Sequence, residues 1–448
     1  MKRSFRILSV FLLLCVLISC FVSCSGGNST TTTQPGGSTP GEKVDYASQA
    51  KLDPSSNRAR QEVSLHMHID GDTTHFKLSS PIGGSDILKA RYLAVDTPES
   101  TGAIEKWGKK ASNFTKEKLK NATSIIVESD TNEWNPDSTG SRYMVWVWYK
   151  TAEMSDYRCL NVEILQEGLA KPKGTDNTYG EICFNAYMQA RDLKLHVFSN
   201  EPDPDFYVGE AIPVDLKELA TNPEKYEGKK VVFEAVIVRD FGNSIYLQAY
   251  CEESGMYHGI GAYYGYSFNG MDQLTIGNLM KIVGTVSYWE GGGTYQISDL
   301  KYNAFASNQS NNIQVIEKGH DVVYNLITPE QFCDGKVELV LVDEEGEEVL
   351  TEFSYAQLAL NTAVEMRDLR VDDAYMTKTD ASYGEITLTC TVGGKKIQVR
   401  TEALYDEDGN LITEEYYEGH TIDVKGLVGY YNGNYQIKVI SLNDVVIK

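Results

Sequence analysis

A pattern of glycines and tyrosines that occurs twice constrains this chain more than any other feature. Gly277, Gly284, Tyr288 and the triplet Tyr295-Gln296-Ile297 match Gly419, Gly426, Tyr430 and the triplet Tyr435-Gln436-Ile437. The glycine pairs stand 142 residues apart and the triplets 140, so the turn inside the motif is two residues shorter in the second copy. Each copy reads as a long alternating strand, a Gly-rich turn and a second strand ending in Ser298-Asp299-Leu300 or Ser441-Leu442-Asn443. Upstream of the first copy, Leu216 to Leu219 begins a short helix that leads into a strand from Val231 to Arg239. Short strands punctuated by glycine close into small barrels or stack as sandwiches, and the pattern alone leaves both open.

The chain has 448 residues, enough for several domains, and its 42% hydrophobic content can supply their cores. A net charge of −22 argues against nucleic-acid handling only until it is divided along the chain. Residues 51–200 carry 19 Lys and Arg against 20 Asp and Glu, whereas residues 201–448 carry 18 against 41. The acidity belongs to the second half, and the first half is free to build a local basic cleft. Affinity for a phosphate backbone needs Lys and Arg, so the acidic repeats are expected to make protein contacts or act as spacers.

The N-terminus reads as a processing segment, with Lys2, Arg3 and Arg6 ahead of an apolar run from Ile7 to Ile18 that is too short to span a bilayer. Leu17-Ile18-Ser19-Cys20 resembles the lipobox of bacterial lipoproteins, which implies lipidation at Cys20. The match at Cys24 is poorer, although the polar residues after it suit a mature N-terminus, and an ordinary cleaved secretory signal is the third reading. All of them put the mature protein outside the cytoplasmic membrane, and a lipid anchor would face it to the extracellular side. Beyond this segment stand five cysteines (Cys159, Cys183, Cys251, Cys333 and Cys390) without a CxxC pair. Export permits a Cys159–Cys183 bridge, and unpaired core thiols are the alternative. The expected organisation is a leader over 1–24, a Gly/Ser/Thr/Pro tether over 25–57, a folded block over 58–200, a β domain over 213–304, a connector over 305–345 and a second β domain over 346–448.

Within the first block, Val63, Leu65, Met67 and Ile69 alternate as a strand, and Tyr143 to Tyr149 form another. Ile104, Trp107, Ala111 and Phe114 mark one helix face, and Leu160–Leu169 and Phe184–Leu195 read as two further helices. Pro202 and Pro204 mark a linker. Three segments supply what phosphodiester hydrolysis demands, namely a cation, positioned donors and a base. They are Ile69-Asp70-Gly71-Asp72-Thr73, the run from Arg91 through Asp96-Thr97-Pro98-Glu99, and the run from Asp137 to Arg142. Asp72 and Asp96 can hold a hard divalent ion. Arg91 and Arg142 present planar forks to phosphate oxygens, and Glu99 is left as the base for water. Strict alternation puts Arg91 and Asp96 on opposite faces, so the strand must bend or end near Asp96.

Those segments, with Glu105-Lys106-Trp107-Gly108 and Gln166-Glu167-Gly168-Leu169-Ala170, are similar to the staphylococcal-nuclease (thermonuclease) family over about residues 58–200. The resemblance implies a five-stranded OB barrel with three helices. It also implies a Ca²⁺ ion on Asp72, Asp96 and the Thr97 carbonyl, Glu99 as the base, and Arg91 and Arg142 on the scissile phosphate. Family members cut DNA and RNA with little sequence preference and leave 3′-phosphate ends. Ser141 departs from the pattern, since the family has Arg directly after the glycine that stands here as Gly140; Arg142 carries over if the serine is a loop insertion. The second half resembles OB-fold modules. The expected fold is therefore mainly β: an α+β OB barrel, then two small OB-like β barrels.

Two other readings stand beside this one. His66 and His68 alternate with Asp70 and invite zinc, but no fourth ligand is fixed. A non-catalytic surface scaffold built from OB folds is the alternative to a nuclease. Trp146 and Trp148 share a strand face and are expected in the core rather than on a base-stacking platform.

Overall fold

The computed structural model describes residues 43–174, 176–266, 268–304, 311–342, 346–378 and 382–448. The expected leader and both lipidation candidates, Cys20 and Cys24, lie outside the described residues.

The alternation from Val63 becomes β1 (Arg60–Asp70), which turns at Gly71 into β2 (Thr73–Ile82) and then β3 (Ser85–Tyr92). A three-residue β4 (Ala94–Asp96) comes next, then β5 (Ser124–Glu128) and β6 (Tyr143–Lys150). β1 pairs antiparallel with β2 and β5, β2 with β3, and β5 with β6, while β3 runs parallel to β6 and closes a five-stranded barrel. Phe76, Leu88, Tyr92, Trp146, Trp148 and Ile164 are fully buried in its core. Both tryptophans are core residues, as expected, and each indole N–H reaches a carboxylate, Asp130 for Trp146 and Glu128 for Trp148.

Three helices flank this barrel: α1 (Gly108–Lys120), α2 (Leu160–Gln166) and α3 (Gly180–Asp192). The first and third are shifted from their expected spans, and the second starts at Leu160 as expected but is shorter. Ile104 lies outside α1, because Trp107 takes a left-handed φ of 69° and the helix starts only at Gly108. α2 ends early because Gly168, at φ 68°, turns the chain. The expected tether also ends sooner: from Val44 on it is packed, with Ala47 and Ala50 buried and the Ala47 N–H donating to Gln166.

The second half holds two more five-stranded barrels. One uses Lys230–Asp240, Ser244–Cys251, Met256–Tyr263, Leu279–Trp289 and Thr294–Ser298. The other uses Ala363–Met376, Ile386–Val392, Lys395–Thr401, Thr421–Tyr431 and Asn434–Val439. In all three barrels the first strand pairs with the second and the fourth, and the third runs parallel to the fifth. That is the OB connectivity, so the sandwich alternative falls. Each barrel has its own apolar core.

The repeated glycines now have a physical reason. A Cβ on Gly284 would stand 2.3 Å from Ile297 Cγ2, and one on Gly426 2.4 Å from the Lys438 carbonyl oxygen. The fourth strand must therefore carry glycine where the fifth crosses it. The stretch expected as a connector is structured in its described parts. Ile313–Glu317 adds an edge strand to the second barrel, and Lys336–Val342 pairs with Glu348–Ser354 as a hairpin across the expected boundary at 345–346.

Candidate active site

The turn after β1 and the chain after β3 meet at one end of the first barrel. Gly71 permits this approach: a Cβ there would lie 2.8 Å from the Thr97 side chain. Asp72, only 2% exposed, accepts the Thr97 N–H at 2.9 Å and the Thr73 hydroxyl at 3.0 Å. The bend required between Arg91 and Asp96 occurs at Ala94, whose φ of 61° breaks the strand after Tyr92. It brings both side chains to the same place. The Arg91 guanidinium bridges the two aspartates, pairing with Asp72 through Nη1 and with Asp96 through Nη2 at 2.6 Å. Lys173, on the strand beside β4, adds a second cation 3.0 Å from Asp96.

Glu99 lies next to this pair, on an irregular loop that runs to Trp107. Its backbone is pinned twice, with the Glu105 N–H donating to its carbonyl at 2.9 Å and its own N–H donating to the Glu105 carboxylate at 3.2 Å. Gly108 is what lets α1 begin directly beneath it, since a Cβ there would sit 2.2 Å from the Glu99 carbonyl oxygen. Burial raises the Glu99 carboxyl to about 7, helped by the charge of Asp70, a hydrogen bond with it, and the charge of Asp72. Arg91 pulls the other way.

Asp70 is the member that the sequence pattern does not reveal. It is 6% exposed and accepts from the Ser100 hydroxyl at 2.6 Å and the Gly71 N–H at 2.7 Å. Burial raises its carboxyl as well. A register shift in β1 between His68 and Asp70 turns it away from the histidines, and plain alternation hides that shift. His68 instead bonds Ser112 at 2.8 Å, and among the described residues no three His, Cys, Asp or Glu side chains gather as a metal-binding group.

Arg142 is the expected site residue that the cluster does not engage. Its guanidinium is held by Asp137 at 2.7 Å, inside a loop tightened by Thr139 bonding both Asp137 and Ser141. Arg91 faces Met144 across the parallel ladder, so Arg142 stands two residues upstream of that partner, just before β6 begins at Tyr143. The Tyr179 ring makes edge contacts with Trp146 and Trp148 in the core. Cys159 and Cys183 are buried free thiols.

One end of the first barrel thus joins two carboxylates through one guanidinium, beside a third carboxylate raised by burial. Residues 89–200 match the family described as staphylococcal nuclease homologue. The thermonuclease of Staphylococcus hyicus is 33% identical over 150 residues, which cover 32% of this chain and 80% of that protein. A thermonuclease of Staphylococcus intermedius is 26% identical over 160 residues, covering 30% and 89%. An uncharacterized protein of Methanocaldococcus jannaschii is 29% identical over 172 residues, covering 32% and 79%. The chain belongs to the staphylococcal nuclease homologue family.

Proposed function

We propose that this protein is a Ca²⁺-dependent endonuclease that hydrolyses DNA or RNA with little sequence preference and is displayed outside the cell on a lipid anchor at Cys20, or at Cys24. The observation that carries the catalytic reading is the position of Glu99, with a carboxyl near 7, against the guanidinium-bridged pair of Asp72 and Asp96.

The donor set suits a hard cation. Asp72, Asp96 and the Thr97 carbonyl offer oxygen alone, a guanidinium already lies between the two carboxylates, and the buried Thr97 hydroxyl has no hydrogen-bond partner among the described residues. A calcium ion held there supplies positive charge against the charge that develops on the phosphoryl oxygens. Arg91 offers a planar fork for the non-bridging oxygens, and Arg142 becomes a second donor once it leaves Asp137. Glu99 takes a proton from water as the water oxygen bonds to phosphorus. The bond from phosphorus to the 5′-oxygen breaks, that oxygen takes up a proton, and a 3′-phosphate is left. Burial and the charge of Asp70 raise the Glu99 carboxyl, which makes it a better proton acceptor than an exposed carboxylate.

Residues 44–448, incubated with plasmid DNA and Ca²⁺, should nick and then degrade it, and a chelator should abolish cleavage. No cleavage of DNA or RNA under these conditions would leave the scaffold reading in its place. Mass spectrometry of the mature N-terminus tests the anchor.

A further inference from the structure

The Glu99 loop has no regular structure, so its backbone groups must find partners outside a ladder or helix. Two of those partners come from beyond the first barrel. The Trp107 N–H donates at 2.5 Å to Asp203, a linker residue that is only 6% exposed. The Gly102 carbonyl accepts at 2.6 Å from the N–H of Asp299, at the end of the second barrel's last strand. Asp299 is buried and holds a left-handed φ of 65°, a conformation that costs a non-glycine residue on the order of 1 kcal/mol and marks a constrained position. Its carboxylate is held by Lys301 at 2.6 Å. Tyr263 of the second barrel lies against the same loop, close enough that a Cβ on Gly102 would stand 3.7 Å from its ring.

Two ion pairs hold the second barrel on α1. Lys109 meets Glu227 at 2.9 Å, and Lys116 meets Glu290. Gly291, next to Glu290, packs towards Met67 of β1. A cleft of about 1100 Å³ between the barrels opens at Ser100 and Thr101, next to Glu99. We propose that the second barrel is a positioning element of the nuclease site: through Asp299 and Tyr263, clamped by the two ion pairs, it fixes the 100–107 loop and thereby the place of Glu99. This rests on the nuclease reading above and adds that the first barrel does not position its base alone.

The test reverses charge on the second barrel only. In the full chain, Glu227→Lys with Glu290→Lys sets like charges against Lys109 and Lys116 while leaving every nuclease lysine intact. Added positive charge favours polyanion binding, so electrostatics alone would hold or lower KM. Loss of positioning instead lowers kcat, on the order of tenfold, with KM unchanged or reduced. Adding Lys109→Glu and Lys116→Glu rebuilds both pairs with their signs exchanged and should restore kcat. Amide exchange over residues 100–107 should accelerate in the first variant and recover in the second, while exchange in β6 stays constant. Unchanged kcat, a fall that the swap does not rescue, or unaltered loop exchange each overturns the proposal. If the unmodified protein cuts no nucleic acid, the nuclease reading fails separately, and the exchange measurement alone decides whether the barrel fixes the loop.

Discussion

The first and third barrels share a closer likeness than their strand order. In the first, Arg91 faces Thr73 across the ladder and grips Asp72, the residue just before β2. In the third, Arg400 of the third strand faces Thr387 and grips Glu385, just before the second strand. The two barrels part beyond the arginine. After Arg91 the strand breaks at Ala94 and delivers Asp96 to the guanidinium, with the Thr97 N–H on Asp72 and Glu99 close by. After Arg400 the chain stays in the sheet, with the Glu402 N–H donating to the Val439 carbonyl at 2.9 Å, and the guanidinium is filled by Glu385, Thr387 and Thr377. An arginine–carboxylate pair at that end of an OB barrel is therefore a structural device. The break after strand three is what converts it into a candidate site.

The strongest way to break this contrast is to remove the base. Glu99→Gln should lower kcat about 10³-fold with little effect on unfolding, because a general base commonly supplies 10² to 10⁴. Arg400→Met should change kcat less than about twofold, since no reacting group is within its reach. Comparable losses in steady-state cleavage assays would place the chemistry outside the first barrel. Arg91→Lys comes next. It keeps the charge but loses the fork between Asp72 and Asp96, and should cost about 10² in kcat. Arg400→Lys should register only as lower thermal stability.

Two glycines sharpen the same contrast at smaller scale. Gly108→Ala forces a methyl against the Glu99 carbonyl, and Gly426→Ala forces one against the Lys438 carbonyl. Each should destabilise by about 2 kcal/mol in denaturant titration, the usual cost of overpacking. Only Gly108→Ala should also lower kcat, because it alone displaces the loop that carries the base. A Gly426→Ala protein with reduced kcat at full folding would show the third barrel coupled to the site.

Much of this was legible because it obeys local rules. Alternation located β1 and β6, the repeated glycines marked paired strands, and the conflict between alternation and a shared Arg91–Asp96 site required the break that falls at Ala94. What stayed hidden depends on three-dimensional closure. Asp70 meets Glu99 only through the irregularity in β1. Arg142 is captured by Asp137 because the Asp137–Ser141 loop folds back on itself. Asp203 looked like linker, yet it is buried because the Trp107 N–H at the start of α1 needs an acceptor. No periodicity in one segment reports a partner that lies a hundred residues away.

A last contrast between the barrels is their response to pH. His68 and His75 of the first barrel are lowered to about 4, chiefly by burial. Lys116 and Glu290 act on His68 in opposite senses, and Lys89 and His66 lower His75 further. His258 is lowered too, buried where the second barrel meets Leu358, whose carbonyl it contacts at 3.2 Å while Ser254 bonds its other nitrogen at 2.8 Å. Each is neutral when folded and free to take a proton when unfolded. Above about pH 6.5 none of them costs stability. Below it the unfolded chain gains protons that the folded one refuses, so each histidine lowers stability as the pH falls, buried His68 by up to about 1.4 kcal/mol per pH unit until its folded value is reached. Wild type and His68→Asn, compared by urea unfolding from pH 7.5 to 4.5, should therefore converge in stability as the pH falls. The same comparison with His258→Gln should also converge as the pH falls and reports on the contact between the second and third barrels. A stability difference that stays constant with pH in both variants would mean that these histidines titrate alike in the folded and unfolded chains.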